Sequence, residues 1–339
     1  MTYQEVLDNA RKNMLPRCKV CPECNGIACK GQVPGVGGVG SGRAFTICRE
    51  YLEKIKVRMD VIHEPYENDT SIELFGRKFD VPFFAAPIGG MTLNFTGSLT
   101  DEEYSRAVVD GTREAGGFAF TGDGPVDEYF LSSLPVIRDA GGVGVATLKP
   151  WKQEKVFDHI RRLEEVDAMA FAMDVDSASL INLKLLGKPV YPKPEREIRE
   201  IVESTAMPFI VKGIMTGDSA KRCADAGVYG IVVSSHGGRV MEDMPAPASM
   251  LEEIRATVGG DVRIFVDGGI RSGADVFKCL ALGADAVLIG RPYAIVAHGG
   301  GSEGVRLYTE KIKDELKTVM MMTGCETLKD ITRDKIMFV

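Results

Sequence analysis

At 232–247 the chain reads VVSSHGGRVMEDMPAP: an apolar run ends in hydroxyls, then in His236 between Ser235 and Gly237, and then in Arg239. Only four histidines occur in the chain. An imidazole titrates near neutral pH and can take up a proton, and a guanidinium three residues on can grip an anion through paired donors. A polar turn whose histidine bonds its own backbone would look the same locally, so the surrounding pattern has to separate the two.

Two further stretches could do chemistry. The segment 265–292, FVDGGIRSGADVFKCLALGADAVLIGRP, sets Asp267, Gly268, Gly269, Arg271 and Gly273 between an apolar run and a helical pattern, then Gly290 and Arg291 after the next run. Glycines let backbone N–H groups approach an anion, helix N-termini favour negative charge, and arginine pairs with phosphate, so this is a phosphate subsite. The segment RCKVCPECNGIACKG holds Cys18, Cys21, Cys24 and Cys29 in a C-x2-C-x2-C-x4-C array, half of the eight cysteines within twelve residues. Thiolates so spaced can wrap zinc or an iron–sulfur cluster, and the spacing is a ferredoxin-type run with one extra residue in the last interval. PGVGGVGSG at 34–42 has the look of a nucleotide loop, but no strand precedes it and no βαβ unit surrounds it. It reads instead as a mobile loop able to fold over a site.

The elements that must position these residues follow from hydrophobic patterning. From residue 83 onward, eight short runs rich in Val, Ile, Phe and Ala stand at 83–89, 118–123, 143–149, 168–176, 208–214, 230–236, 263–269 and 286–291. Such runs mark parallel strands buried on both faces. Helical patterns at 102–115, 153–165, 194–204, 217–226, 248–257 and 274–282 alternate with them, several closing on Gly. The alternation predicts an α/β fold, a (β/α)8 TIM barrel over 51–339, with a doubly wound sheet as the other arrangement. Residues 1–50 form an N-terminal extension of helix, Cys-rich segment and Gly-rich loop. Barrel active sites lie at the C-terminal strand ends. The ends here carry Thr121 and Asp123, Lys149, Asp174 and Asp176, Lys212, Ser234 through His236, Asp267 and Arg291, while the run interiors are apolar. Helix caps would explain one or two of these, not lysine, histidine, aspartate and arginine from successive strands. The methionines at 320–322 lie on the last helical pattern and are expected to pack in the core.

Composition sets the outer limits. A net charge of -7 argues against a nucleic-acid partner. No apolar run approaches the length of a membrane span and no secretory leader is evident, so a cytoplasmic, reducing location is expected, where cysteines serve as thiols or metal ligands.

The segment 208–292 resembles the FMN-dependent 2-hydroxy-acid oxidase and dehydrogenase family of glycolate oxidase, lactate oxidase and mandelate dehydrogenase. The resemblance rests on SSHGGR and DGGIR together and extends more weakly from about residue 50 to the closing TGCETLKDITRDKI. It implies a barrel holding FMN and, for some members, a tetramer. By the same resemblance, His236 is the general base with Asp176 behind it, although Asp174, two residues away on the same strand face, could take that place. Arg239 would grip a small-molecule carboxylate. Lys212 would face the flavin N1 and O2, while Pro87, Ile88, Gly89, Thr121, Thr147 and Ser234 would contact the ring. Asp267, Gly268, Gly269, Arg271, Gly290 and Arg291 would hold ribityl and phosphate.

Departures from the family pattern fall on the substrate. The usual tyrosine of the N-terminal loop is replaced near Val33 or Pro34, and the tyrosine ending strand three by Lys149, which could serve as a second carboxylate partner. The second arginine after strand four is replaced near Leu183, and the glutamine of strand three by Thr147. The resulting expectation is oxidation of a lactate- or glycolate-like acid to the 2-oxo acid. Electrons would pass to oxygen or another acceptor. The other function considered is a non-redox FMN isomerase resembling type 2 isopentenyl-diphosphate isomerase.

Overall fold

The structure, a computed structural model, describes residues 1–188 and 190–339. Eight parallel strands occupy the eight apolar runs: β1 (Phe83–Ala85), β2 (Phe120–Thr121), β3 (Val145–Leu148), β4 (Ala170–Asp174), β5 (Phe209–Ile214), β6 (Gly230–Val233), β7 (Arg263–Val266) and β8 (Ala286–Ile289). Each pairs with its sequence neighbour from β2 to β8, and β8 pairs with β1. A parallel bridge between Ala85 and Ala119 closes the cylinder. Closure leaves no exposed edge.

The barrel is filled rather than hollow. Phe84 and Phe118 stack with ring centroids 3.7 Å apart, Phe118 packs on Phe79 at 4.8 Å, and Phe120 meets Phe265 edge-on at 6.0 Å. Phe79 comes from a hairpin, Ile72–Leu74 with Arg77–Phe79, that plugs the end opposite the strand C-termini. Each fully buried ring contributes roughly 1.5–3 kcal/mol by leaving water. The surrounding helices begin where their caps dictate. Thr100 and Glu103 form a capping box ahead of Asp101–Glu114, and Ser272 caps Gly273–Ala281 through the Asp275 N–H.

Three differences from the sequence reading have local causes. The sixth run does not stay extended as far as His236: β6 ends at Val233, and a tight turn follows at His236–Gly238, where His236, Gly237 and Gly238 all take positive φ. Arg291 does not end the last strand but opens the C-terminal helical stretch, Arg291–Met321, which is broken by a kink at Gly301, where φ is +55°. At its end Met320 is buried, whereas Met321 and the capping Met322 are exposed at 52% and 39%, so only the first of the three packs in the core.

The N-terminal residues are built onto the barrel. Helix Tyr3–Met14 buries Val6, Ala10 and Met14 against the long C-terminal helix. A helix at Arg43–Glu53 crosses residue 50 and lies so close to the β7 loop that a Cβ on Gly269 would sit 2.7 Å from the Cys48 carbonyl. Strand Ile55–Val57 pairs antiparallel with Ile336–Phe338 near the C-terminus.

Candidate active site

A cavity of about 140 Å³ opens at the C-terminal ends of the strands. Its walls take Pro87, Ile88 and Gly89 after β1, Lys149 after β3 and Lys212 from β5. The turn after β6 brings His236 and Arg239, and the loops after β7 and β8 bring Asp267 through Arg271 and then Gly290 with Arg291. Thus residues from distant parts of the sequence converge on one space. Thr121, Thr147 and Ser234 are fully buried beside it and do not line it. The Thr121 and Thr147 hydroxyls are left without a partner.

The histidine is held from behind. Asp176 Oδ1 lies 2.9 Å from His236 Nδ1, and the His236 backbone N–H donates to Ser234 Oγ at 3.0 Å, whose hydroxyl donates to Asp267 Oδ2 at 2.9 Å. Asp174 does something else. It ends β4 between two lysines, accepting from Lys149 Nζ at 2.7 Å and facing Lys212 Nζ at 3.2 Å. Burial alone would raise the Asp174 pKa, but the two ammonium groups hold it well below the usual carboxylate range. Burial opposes the charge on Lys212 in the same way, and Asp174, Asp176 and Asp267 outweigh it, keeping this lysine firmly protonated. Asp267 is pushed up by burial despite Lys212 at 3.7 Å.

Arg239 is half-buried, and desolvation together with the nearby Arg291 presses its pKa down to about 9, so it remains charged at neutral pH. It donates to the Gly35 carbonyl and, at 2.8 Å, to Asn94 Oδ1. Asn94 Oδ1 also accepts from Asn182 Nδ2 at 2.9 Å, while the buried Asn182 Oδ1 has no partner. Sequence reading missed both asparagines. The available signal was an amide inside each of two otherwise apolar stretches, MTLNF and SLINL. Gly35 and Val36 also line the cavity, so the Gly-rich loop does lie over the mouth.

Two further arginines of the cavity, Arg291 and Arg271, are also occupied by the N-terminal segment. Arg291 donates to the carbonyls of Val36 at 2.7 Å, Gly37 at 3.1 Å and Gly237 at 2.9 Å, with its guanidinium 3.8 Å over the Phe45 ring. Arg271 donates to the Cys24 carbonyl at 2.9 Å and to its neighbour Ile270 at 2.7 Å. Four observations fit a phosphorylated, ring-bearing cofactor here. Gly268 and Gly269 have φ of +103° and +81°, a backbone that presents amides where side chains would intrude. The helix starting at Arg291 has no side-chain cap, leaving its first N–H groups for an anion. Buried Asp267 Oδ1 lacks a partner, and Lys212 supplies a fixed cation to the cavity.

Fold and site together define a barrel oxidoreductase that holds a flavin nucleotide. The family model for the FMN-dependent dehydrogenases matches residues 36–186 and 189–337, and the chain belongs to this family, that of the FMN-dependent 2-hydroxy-acid oxidases and dehydrogenases. It is an FMN-dependent oxidoreductase. A curated relative, 4-hydroxymandelate oxidase of Amycolatopsis orientalis, is 30% identical over 335 residues, covering 86% of this chain and 89% of its own. L-lactate oxidase of Roseobacter sp. (strain GAI101) is 43% identical over 151 residues, 44% of this chain and 40% of its own. The solved structure of a mandelate oxidase variant with (S)-mandelic acid superposes with a TM-score of 0.81 at 28% identity, covering 98% of this chain and 97% of that one.

Among the described residues, no three ligand atoms of the N-terminal cysteines lie within 4.8 Å of one another; the group that does is Asp174, Asp176 and His236. Among the described residues, no helix is long and apolar enough to cross a membrane.

Proposed function

We propose that the chain oxidises a small 2-hydroxy acid to the 2-oxo acid with His236 as general base. The observation that carries the reading is the 2.9 Å contact between His236 Nδ1 and Asp176 Oδ1, on a histidine that shares its cavity with Arg239. Asp176 fixes the tautomer with the proton on Nδ1, so Nε2 is free to accept the hydroxyl proton of the substrate. As that proton arrives the ring becomes cationic, and the carboxylate behind it offsets the charge. Arg239 binds the substrate carboxylate, and its donation to neutral acceptors, a carbonyl and an amide, leaves its charge uncompensated by any carboxylate among the described residues. Lys149 supplies a second cation in place of the family's tyrosine. FMN, when bound, supplies the two-electron acceptor for the carbinol C–H. Lys212 would be the counter-charge for the reduced ring, and Pro87, Ile88, Gly89, Thr121, Thr147 and Ser234 would be the residues about it. Asp267, Gly268, Gly269, Arg271, Gly290 and Arg291 would hold ribityl and phosphate.

Anaerobic mixing with a panel of 2-hydroxy acids tests this. The bound flavin of the wild type should bleach with at least one acid, and His236→Ala should keep its FMN while reduction slows roughly 10²–10⁴-fold. Unchanged reduction kinetics would remove His236 from the role of base. We further infer a homo-oligomer, a tetramer by the family resemblance, placed in the cytoplasm, and a metal site, zinc or iron–sulfur, at Cys18, Cys21, Cys24 and Cys29. Light scattering of the purified protein checks the subunit number.

A further inference from the structure

We propose that Cys18, Cys21, Cys24 and Cys29 hold an iron–sulfur cluster, not zinc, and that it carries electrons out of the flavin cavity to a one-electron acceptor protein. The site part stands on its own; the electron route rests on the flavin reading above.

The four thiols are set apart from the rest. Cys48, Cys223, Cys279 and Cys325 are buried, whereas the N-terminal four are half-buried, unpaired and all line one second cavity. A tetrahedral zinc ion with bonds near 2.3 Å needs its sulfurs about 3.8 Å apart. No three of these sulfurs approach within 4.8 Å, so the loop as folded is too open for one ion. A cluster binds each thiolate on a different iron and spreads them wider, and the Cys-x2-Cys-x2-Cys run is that of cluster-binding ferredoxins. All four thiols reach one cavity, which makes Cys29, one residue later than the ferredoxin spacing, the fourth ligand of the same group.

The surroundings suit an anionic cluster. Arg291 and Arg17 line the same cavity, and Arg271 donates to the Cys24 carbonyl at 2.9 Å. The Val20 N–H points to Cys18 Sγ at 3.4 Å, a bond from amide to sulfur of the kind that tunes cluster potential. Arg291, Val36 and Phe95 line both cavities, so a partition one side chain thick separates the thiols from the flavin cavity. On the outer side the loop is open to solvent, with Ile27 between Cys24 and Cys29 67% exposed.

The electron count closes. Each 2-hydroxy acid gives up its hydroxyl proton and its carbinol hydrogen, two protons and two electrons in all, and becomes the 2-oxo acid. The cluster changes by one electron at a time, so it is reduced and reoxidised twice per turnover, and two molecules of a one-electron acceptor are reduced.

The experiment uses full-length protein made and purified anaerobically. Iron, acid-labile sulfide and zinc are measured, and electron paramagnetic resonance spectra are recorded after dithionite reduction. We expect on the order of four iron and four sulfide per chain and a reduced-cluster signal. Stoichiometric zinc, or neither metal even after reconstitution with iron and sulfide, overturns the site. In Cys21→Ser/Cys24→Ser the signal should vanish while FMN content and anaerobic bleaching by substrate persist, and steady-state reduction of cytochrome c should fall at least tenfold. Cytochrome c reduction unchanged in that variant overturns the electron route. Iron and sulfide present with a flavin that no hydroxy acid bleaches leaves the cluster standing and removes the substrate reading instead.

Discussion

Two aspartates two residues apart divide the work around His236. Asp176 faces the imidazole at 2.9 Å, and Asp174 is bound between Lys149 and Lys212. An amide at 176 would keep the shape but lose the charge that steadies the protonated ring. Asp176→Asn should therefore retain FMN and slow flavin reduction by roughly 10²–10⁴, as for loss of the base itself. Stopped-flow bleaching equal to wild type would show that the carboxylate is only structural. Lys149 invites a different test, because its side chain is 6% exposed and its ammonium is paired at 2.7 Å. Removing one partner of such a pair strands the other charge. Lys149→Met is expected to destabilise the fold by about 3 kcal/mol, the lower end for a broken buried pair, since Lys212 stays beside Asp174. A urea midpoint that does not move would mean that Lys212 alone satisfies the carboxylate.

The eight strands are legible in sequence because a parallel strand covered on both faces must be nearly all apolar, and β1–β8 fall within the runs at 83–89 through 286–291. Their ends are less legible. His236 lies three residues beyond β6 because the glycines after it turn the chain, a choice made by local φ and not by hydrophobicity. At the other end of the barrel the plug is a ring cluster, with Phe118 packed on Phe79, Phe84 and Phe75. The site is distant from it, so Phe118→Ala should cost about 3–5 kcal/mol of stability with FMN content kept in the protein that folds. Chemical denaturation checks the first expectation and flavin absorbance the second. A loss below about 1 kcal/mol would mean that the rings repack around the gap.

On the scale of the whole molecule, the N-terminal segment is part of the site and not an appendage. Carbonyls of Gly35, Val36 and Gly37 take the donors of Arg239 and Arg291, and Cys24 takes one from Arg271. Global stability has a pH signature in a buried histidine on the outer shell. His159 stacks on Phe130 with centroids 4.0 Å apart, and burial, aided by Lys155, presses its pKa from 6.5 to about 4. The unfolded chain therefore binds a proton that the folded chain refuses between these values. Its contribution is full above pH 6.5 and is lost as pH falls toward 4. His159→Phe should lose less stability than wild type between pH 7.5 and pH 4.5. Urea midpoints that fall in parallel in the two proteins would remove His159 as a source of acid sensitivity.

The stretch from Val232 to Pro247 shows where sequence stops. Residue types and spacing by themselves determined the barrel, the polar strand ends, the glycine turns after the last two strands and the pairing of a histidine with an arginine, because burial and backbone geometry restrict which residues can stand there. Tertiary structure alone decided which aspartate serves His236. Asp174 and Asp176 share a parity along the chain, and only the 3-10 turn at Val175–Ser179 sends the second toward the imidazole. It also brought Asn94 and Asn182 together beside Arg239 across 88 residues of chain, a contact with no local pattern, since an amide gains its meaning only from what the fold places against it.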